Sequence, residues 1–174
     1  MTLCRWNRSH LAELAEVARR SLPHIARWMP SAASELEMPE RFLELVADGW
    51  TSGRVYAYAV LEIEGSLAGH VTLTCEGTSA EVGYWIRVER TGRGLATAAV
   101  RLVTQTALAT RPDLDHIELH CNLANTASAR VATKAGFRHF ESRERTPRTV
   151  AESGTETVWI LTRGPAEPEP PLLR

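Results

Sequence analysis

The stretch Ile86–Val100 reads IRVERTGRGLATAAV, and no other part of the chain constrains the fold as strongly. An apolar run of strand character enters it, and a run with helical spacing leaves it. The junction between them is Gly92-Arg93-Gly94. Glycines there remove side chains where a ligand must come close to main chain. The first N–H groups of a helix have no partner inside it and carry partial positive charge, so such a start suits an oxygen anion. Arg93 and Thr97 can add donors. The turn over Gly92, Arg93, Gly94, Leu95, Ala96 and Thr97 is therefore a candidate pyrophosphate cradle, although a plain strand–helix connection uses the same residue types. Two other phosphate loops fail on residue type. No Gly-Lys-Ser/Thr stands here, and a GxGxxG frame begun at Gly92 ends on Thr97.

Around that junction the hydrophobic period changes several times. Ser9 is placed to cap a helix with Leu11, Leu14, Ala18 and Leu22 on one stripe, which Pro23 either ends or splits. Pro39 suits the first turn of another helix, burying Phe42, Leu45 and Val46 and stopping at Gly49. Three strands follow, over Arg54–Glu64, Leu67–Cys75 and Ala80–Arg87, the first two joined by a Glu64-Gly65-Ser66 turn. The helix opened by the glycine turn runs to about Ala109, with Leu95, Ala99, Leu102, Val103 and Thr106 on one face, and Pro112 forbids its continuation. His116–Cys121 reads as a strand. Asn125 starts a short helix that Gly136 stops, and Phe137–Glu141 with Thr155–Leu161 form a closing strand pair. Strands with interleaved helices imply an α/β fold: a mixed sheet with helices on both faces.

The chain has 174 residues, enough for one domain with its own core, and it is 44% apolar and 24% charged. A net charge of −1 supplies no global field for nucleic acid or an anionic membrane, so neither is expected as a partner. Cys4, Cys75 and Cys121 are odd in number and widely spaced, which supports no disulfide framework and fits a reducing cytoplasm. Met1–Trp6 has no apolar signal core. Pro165, Pro168, Pro170 and Pro171 forbid regular structure at the end, so residues 164–174 are expected to be a disordered tail behind a domain over 1–163.

EVGYWIRVERTGRGLATAAV (81–100), followed by IELHCNLANTASARVATKAGF (117–137), resembles the GNAT acetyltransferase superfamily, and in particular its RimJ/RimL-type branch. That branch acetylates N-terminal amines of ribosomal proteins and related small amines. The resemblance spans Leu22–Leu161, and LPHIARWMP (22–30) is similar to a stretch near the substrate end. It implies a mostly antiparallel sheet with two splayed parallel strands. It also implies acetyl-CoA as acetyl donor, with CoA as product, and a primary amine as acceptor. The pantetheine arm would lie against main chain at Tyr84, Trp85 and Ile86, and the pyrophosphate on Gly92–Thr97. Asn125, Ser128, Arg130 and Lys134 match the second motif, beside the cofactor. The family often has Arg or Gln directly before Gly-x-Gly. Thr91 holds that place here, with Arg90 one residue earlier.

Each of these residues also has a structural reading. Asn125 is a good helix N-cap. Arg130 and Lys134, one turn apart, can meet a 3′-phosphate or simply face water. By the resemblance, the Ser128 hydroxyl is the candidate proton donor to the leaving thiolate; a tyrosine often serves in the superfamily, and none of Tyr56, Tyr58 and Tyr84 stands nearby in sequence. Glu81 and His120 are the candidate bases for the amine proton, with surface or sheet packing as the alternative. Glu144 and Glu152 are weaker carboxylate candidates. Trp28, Met29 and Trp50 would wall the amine side. His116, Glu118 and His120 alternate as a three-ligand metal set would, but alternating polar residues on a half-exposed strand are commoner, so no metal is expected.

An α-amine is the expected acceptor. Its pKa of about 8 leaves roughly a tenth of it neutral at pH 7, whereas a lysine near 10.4 is almost all charged. The alternatives are a detoxifying acetyltransferase for an aminoacyl-nucleotide or amine antibiotic, with Trp28 stacking the base, and a non-catalytic acetyl-CoA sensor. Pairing with a second copy is left open.

Overall fold

A computed structural model describes residues 1–163, apart from the side chains of 33–35. The expected tail over 164–174 lies outside the described residues. Seven strands form one sheet: β1 (Thr2–Arg5), β2 (Val55–Leu61), β3 (Leu67–Glu76), β4 (Ser79–Ile86), β5 (His116–Asn122), β6 (Arg138–Glu144) and β7 (Thr155–Thr162). Their spatial order is β1-β2-β3-β4-β5-β7-β6. Neighbours are antiparallel except β4 and β5, which are parallel. Helices α1 (Leu11–Ala26), α2 (Pro30–Leu36) and α3 (Pro39–Thr51) precede β2; α4 (Leu95–Thr110) joins β4 to β5, and α5 (Thr126–Ala135) joins β5 to β6.

Strand periodicity divides the core between the two faces. On β2, Ala57 and Ala59 face the core of α1 and α3, beside Leu14, Val17, Phe42 and Val46. Their neighbours Tyr56, Tyr58 and Val60 face the core built by Ala99, Val100 and Val103 of α4 and by Ala132 and Ala135 of α5. β4 splits likewise: Ala80, Val82 and Tyr84 go to the α4–α5 side and Trp85 to the α1–α3 side.

Several elements differ from their sequence reading. β1 is too short and mixed to show a period, and forms because it pairs with β2 from Thr2↔Leu61 to Arg5↔Tyr58. The N-terminal cap is Asn7 rather than Ser9: its side chain accepts from the Ser9 amide at 2.9 Å, capping the 3₁₀ turn that leads into α1. Pro23 lies inside α1, whose buried stripe is Leu14, Val17, Ala18, Ser21 and Ile25. α2 was not expected; Pro30 sits at its first position, where no N–H is needed. Gly49 does not stop α3. It lets the helix close on β2, since a Cβ there would lie 2.7 Å from the Val55 Cβ. Leu45 and Leu102 are exposed, and Thr106 with them. The buried face of α4 is Ala99, Val100, Val103, Thr104, Ala107 and Leu108, rotated from the expected one.

Candidate active site

The parallel seam is short. β4 pairs with β5 only at Ser79↔His116, Ala80↔Ile117 and Glu81↔Glu118. β4 stays on β3 as far as Gly69↔Ile86, and β5 stays on β7 as far as Asn122↔Glu156. Beyond Glu81 and Glu118 the two strands therefore diverge, and the facing main-chain groups of Val82–Ile86 have no neighbouring strand. Buried main-chain polar groups need partners, so such an edge is prepared for a ligand that offers amides. A cleft of about 930 Å³ opens here, lined by Gly83, Tyr84, Trp85 and Ile86 on one side and His120, Cys121 and Asn122 on the other.

The glycine turn closes one end of this cleft. Gly92 has φ 77 and Gly94 φ 80, both left-handed, and Gly94 is the N-cap of α4 with no side-chain cap. A Cβ at either position would meet nothing within 4 Å. The backbone angle, not crowding, demands glycine. The first helical bond runs from the Ala98 amide to the Gly94 carbonyl, 3.0 Å, so the amides of Leu95, Ala96 and Thr97 have no partner within the helix. Those three residues line the cleft with Thr91, Gly92 and Gly94. Arg93 is not in that lining. It is exposed, and its guanidinium leans toward Glu62, 3.9 Å away. Arg90 does line the cleft, and it is ion-paired with the same Glu62.

The start of α5 forms the facing wall. Asn125 caps the helix, accepting from the Ser128 amide at 3.2 Å, and Arg130 and Lys134 follow along the cleft. The Ser128 hydroxyl lies 2.8 Å from the Tyr84 hydroxyl. This corrects the expectation that no tyrosine stands near Ser128. The two are distant in sequence, but Tyr84 shares a strand face with Val82, and that face looks at α4 and α5. Burial pushes the Tyr84 phenol up to about 12, partly offset by the Ser128 hydrogen bond, so it stays protonated at neutral pH. In such a pair either hydroxyl can donate to the other, leaving one O–H for a third group.

At the other end the cleft meets Trp28 and Met29, with Glu81 and His120 also in its lining. Trp50 is elsewhere. Its ring sits edge-on to Tyr56 and Tyr58, its indole N–H donates to the Ala57 carbonyl at 3.1 Å, and the Arg5 guanidinium covers it at 4.0 Å. It fastens α3 to β2 and does not wall the amine site. His116, Glu118 and His120 do share a strand face, but they bond one another: the Glu118 carboxylate holds His116 at 3.0 Å and His120 at 2.6 Å. Among the described residues no group of three such side chains is arranged to hold a metal ion. Burial raises the Glu118 pKa, but hydrogen bonds from His120 and His116 outweigh it and the net shift is downward.

Among the cleft residues that the sequence reading missed are Arg143, Arg145, Arg148 and Glu156. Glu156 is buried and takes bonds from Arg143 at 2.7 Å and from Arg145, with His120 Nδ1 4.0 Å away. Burial raises its pKa, and the hydrogen bond from Arg143 with the charge of Arg145 more than reverses it. The arginine-rich run ESRERTPR was the available signal. Glu144 and Glu152 do not line the cleft, and Glu152 is held by Arg148.

Comparisons with known proteins agree on the fold. The model of the acetyltransferase (GNAT) domain matches residues 1–138. YdaF of Bacillus subtilis (strain 168), a protein provisionally named a ribosomal N-acetyltransferase, is 28% identical over 137 residues, which is 71% of this chain and 70% of YdaF. The microcin C7 self-immunity acetyltransferase MccE, solved with acetyl-CoA and AMP, superposes with a TM-score of 0.82 at 16% identity, over 93% of this chain and 92% of that one. RimL, a ribosomal L7/L12 alpha-N-protein acetyltransferase solved with CoA, superposes with a TM-score of 0.81 at 17% identity, over 92% of each chain.

Proposed function

Because the chain belongs to the acetyltransferase (GNAT) domain family, whose members take their acetyl group from acetyl-CoA, we propose that it acetylates an α-amine by direct transfer within a ternary complex. The observation that carries this reading is the continuity of one cleft. It runs from the open amides of Leu95, Ala96 and Thr97, along the unpaired edge of β4, to Trp28 and Met29. Those amides suit a diphosphate, and the strand edge suits the amides of a pantetheine arm. When bound, acetyl-CoA supplies an acetyl thioester as electrophile.

The side chains of the cleft divide the proton work. His120, oriented by Glu118, accepts the proton of the attacking amine, with Glu81 as a second acceptor through water. The Tyr84–Ser128 pair delivers a proton to the sulfur as the carbon–sulfur bond breaks. The new carbon–nitrogen bond and the thiol complete the balance. An α-amine asks little of a base, since roughly a tenth of it is neutral at pH 7, far more than of a lysine. Residues 1–163 would form the catalytic domain. RimL, a protein of the same fold, is named for α-amino acetylation, which favours a peptide end as acceptor.

A second reading has one observation in its favour. Arg143, Arg145 and Arg148 share the lining with Trp28, a combination that suits a phosphate and a base, and MccE was solved with AMP. One experiment separates the readings: incubate the protein with acetyl-CoA and a panel of peptides, lysine amines and aminoacyl-nucleotides, and measure free CoA thiol. Peptide α-amines are expected to turn over fastest. Preference for the nucleotide conjugates would support detoxification, and CoA binding without turnover on any amine would make the protein a sensor.

A further inference from the structure

On the face of the sheet covered by α1–α3, a second hollow of about 260 Å³ lies beside the cleft. Met29, Ser31, Glu81, Gly83 and Trp85 line both. Ala32, Phe42 and His70 line the hollow and not the cleft. Its walls are aromatic and braced. The His70 and Trp85 rings stack with centroids 5.8 Å apart, Phe42 stands edge-on to His70 at 5.6 Å, and Trp6 stands edge-on to Phe42 at 5.1 Å. The Trp6 indole N–H donates to His70 Nδ1 at 3.0 Å. Rings fixed on several sides collapse only partly into a space beside them. Burial depresses the His70 pKa to about 3, so that ring brings no charge to the hollow.

Strand alternation sorts the groups of β4 between the two faces. Tyr84, bonded to Ser128, faces the α4–α5 side. Glu81, Gly83 and Trp85 alternate with it and border the hollow on the other side. Along the open edge, Ile86 is the residue nearest the Gly92–Thr97 turn, and the gap closes at the Glu81↔Glu118 pair. Gly83 lies near that closed end and carries no side chain to separate cleft from hollow. A Cβ there would lie 3.2 Å from Thr72 Cγ2.

We infer that the hollow receives the chain of acyl groups longer than acetyl, so that the protein also transfers propionyl and butyryl from their CoA thioesters to the same amine. The inference rests on the proposed path of the coenzyme arm along β4 and extends it to the donor. With the sulfur served by Tyr84 on one face, the acyl group passes Gly83 to the other. The step is that of acetyl transfer. The amine nitrogen bonds the acyl carbon, the carbon–sulfur bond breaks, the amine proton goes to His120, and CoA leaves as the thiol with the proton from the Tyr84–Ser128 pair. Met29, Phe42 and Trp85 give an apolar lining, worth about fourfold in affinity per methylene buried. Glu81 lines the same space, so a chain ending in a carboxylate, such as succinyl, is disfavoured. Thr74 also lines it and is exposed, so the gain ends where a longer chain reaches water.

Calorimetric titration of the full chain with S-ethyl-, S-butyl- and S-hexyl-CoA, thioethers that cannot react, reads the hollow without turnover. S-butyl-CoA is expected to bind about tenfold tighter than S-ethyl-CoA, two methylenes being buried, and S-hexyl-CoA no tighter than S-butyl-CoA. S-(3-carboxypropyl)-CoA should bind at least tenfold more weakly than S-butyl-CoA. Ala32→Leu fills the hollow and should cut the butyl advantage to about twofold with S-ethyl-CoA affinity unchanged. Phe42→Leu widens it and should move the limit from butyl to hexyl. In kinetics with an amine that accepts acetyl, butyryl-CoA is expected within about tenfold of acetyl-CoA in kcat/KM, and succinyl-CoA about a hundredfold below it. Equal affinity for the ethyl and butyl thioethers overturns the acyl pocket and leaves acetyl transfer standing. A butyl advantage unchanged in both variants overturns the hollow as its place. Tight S-butyl-CoA binding without butyryl transfer overturns the activity. Failure of every thioether to bind overturns the proposed coenzyme path and the pocket together.

Discussion

The Tyr84 and Ser128 hydroxyls stand 2.8 Å apart, joining the diverging half of β4 to the first turn of α5. Either oxygen can donate to the other, so the pair can pass a proton along its length. Tyr84→Phe and Ser128→Ala are each expected to lower kcat about a hundredfold with little change in acetyl-CoA affinity. The double variant should lose less than the product of the two, because both act on one proton path. Steady-state kinetics beside calorimetric titration separates these effects. Equal losses in turnover and affinity would reduce the pair to a contact.

Gly94 offers a test of the phosphate end. Its backbone angle strains any other residue by about 1–2 kcal/mol, yet a Cβ there meets nothing. Gly94→Ala should therefore weaken acetyl-CoA about tenfold at most. Gly94→Glu adds a carboxylate where phosphate is expected and should weaken it a hundredfold or more. If titration shows the two variants binding alike, the turn does not hold the diphosphate.

His70 predicts the acid side of the stability curve. Its folded pKa, about 3, lies below the unfolded value of 6.5. Below 6.5 the unfolded chain binds a proton that the folded chain refuses, so stability falls as pH falls. The slope is about 1.4 kcal/mol per pH unit. The Glu118 and Glu156 carboxylates, held below 4.5, add their own loss only further down. Between pH 6.5 and 4.5 the slope should belong to His70. Denaturant unfolding of His70→Gln should be flatter across that window; an unchanged slope would mean another group titrates.

Trp28 and Trp50 should respond in opposite ways. Trp28→Ala is expected to raise KM for the acceptor several-fold with little effect on Tm, since Trp28 lines the cleft. Trp50→Ala should cost about 2–4 kcal/mol of stability and leave KM nearly unchanged, because it packs on Tyr56 and Tyr58 away from the cleft. Thermal melts with kinetics on both variants check this.

The elements legible in the sequence were those with a long period or strong punctuation. Gly94 before α4, Asn125 and Gly136 around α5, and the alternation along β2–β4 each carry a local physical signature. β1 carries none and α2 only the proline at its start: β1 depends on β2 for its hydrogen bonds, and α2 packs against α1 and α3. At the site, the turn could be read because a helix start is a local object. The Tyr84–Ser128 contact and the Glu156 cluster could not, because they depend on how far β4 and β5 diverge and on β7 lying between β5 and β6. Trp50 was misplaced for the same reason. An aromatic residue near a helix end reveals nothing of which side of the sheet edge it will cover.

A seam that stops after three residue pairs has a consequence for how the protein can be probed. What β4 presents along Val82–Ile86 is peptide, identical whatever side chain is attached. An alanine scan of that strand would leave those amides in place, so any loss it found, as at Tyr84, would report on side chains alone. Replacing single amides by esters through chemical synthesis deletes them one at a time, and weaker acetyl-CoA binding in such esters would support the proposed main-chain grip, which sequence drift would not easily erode.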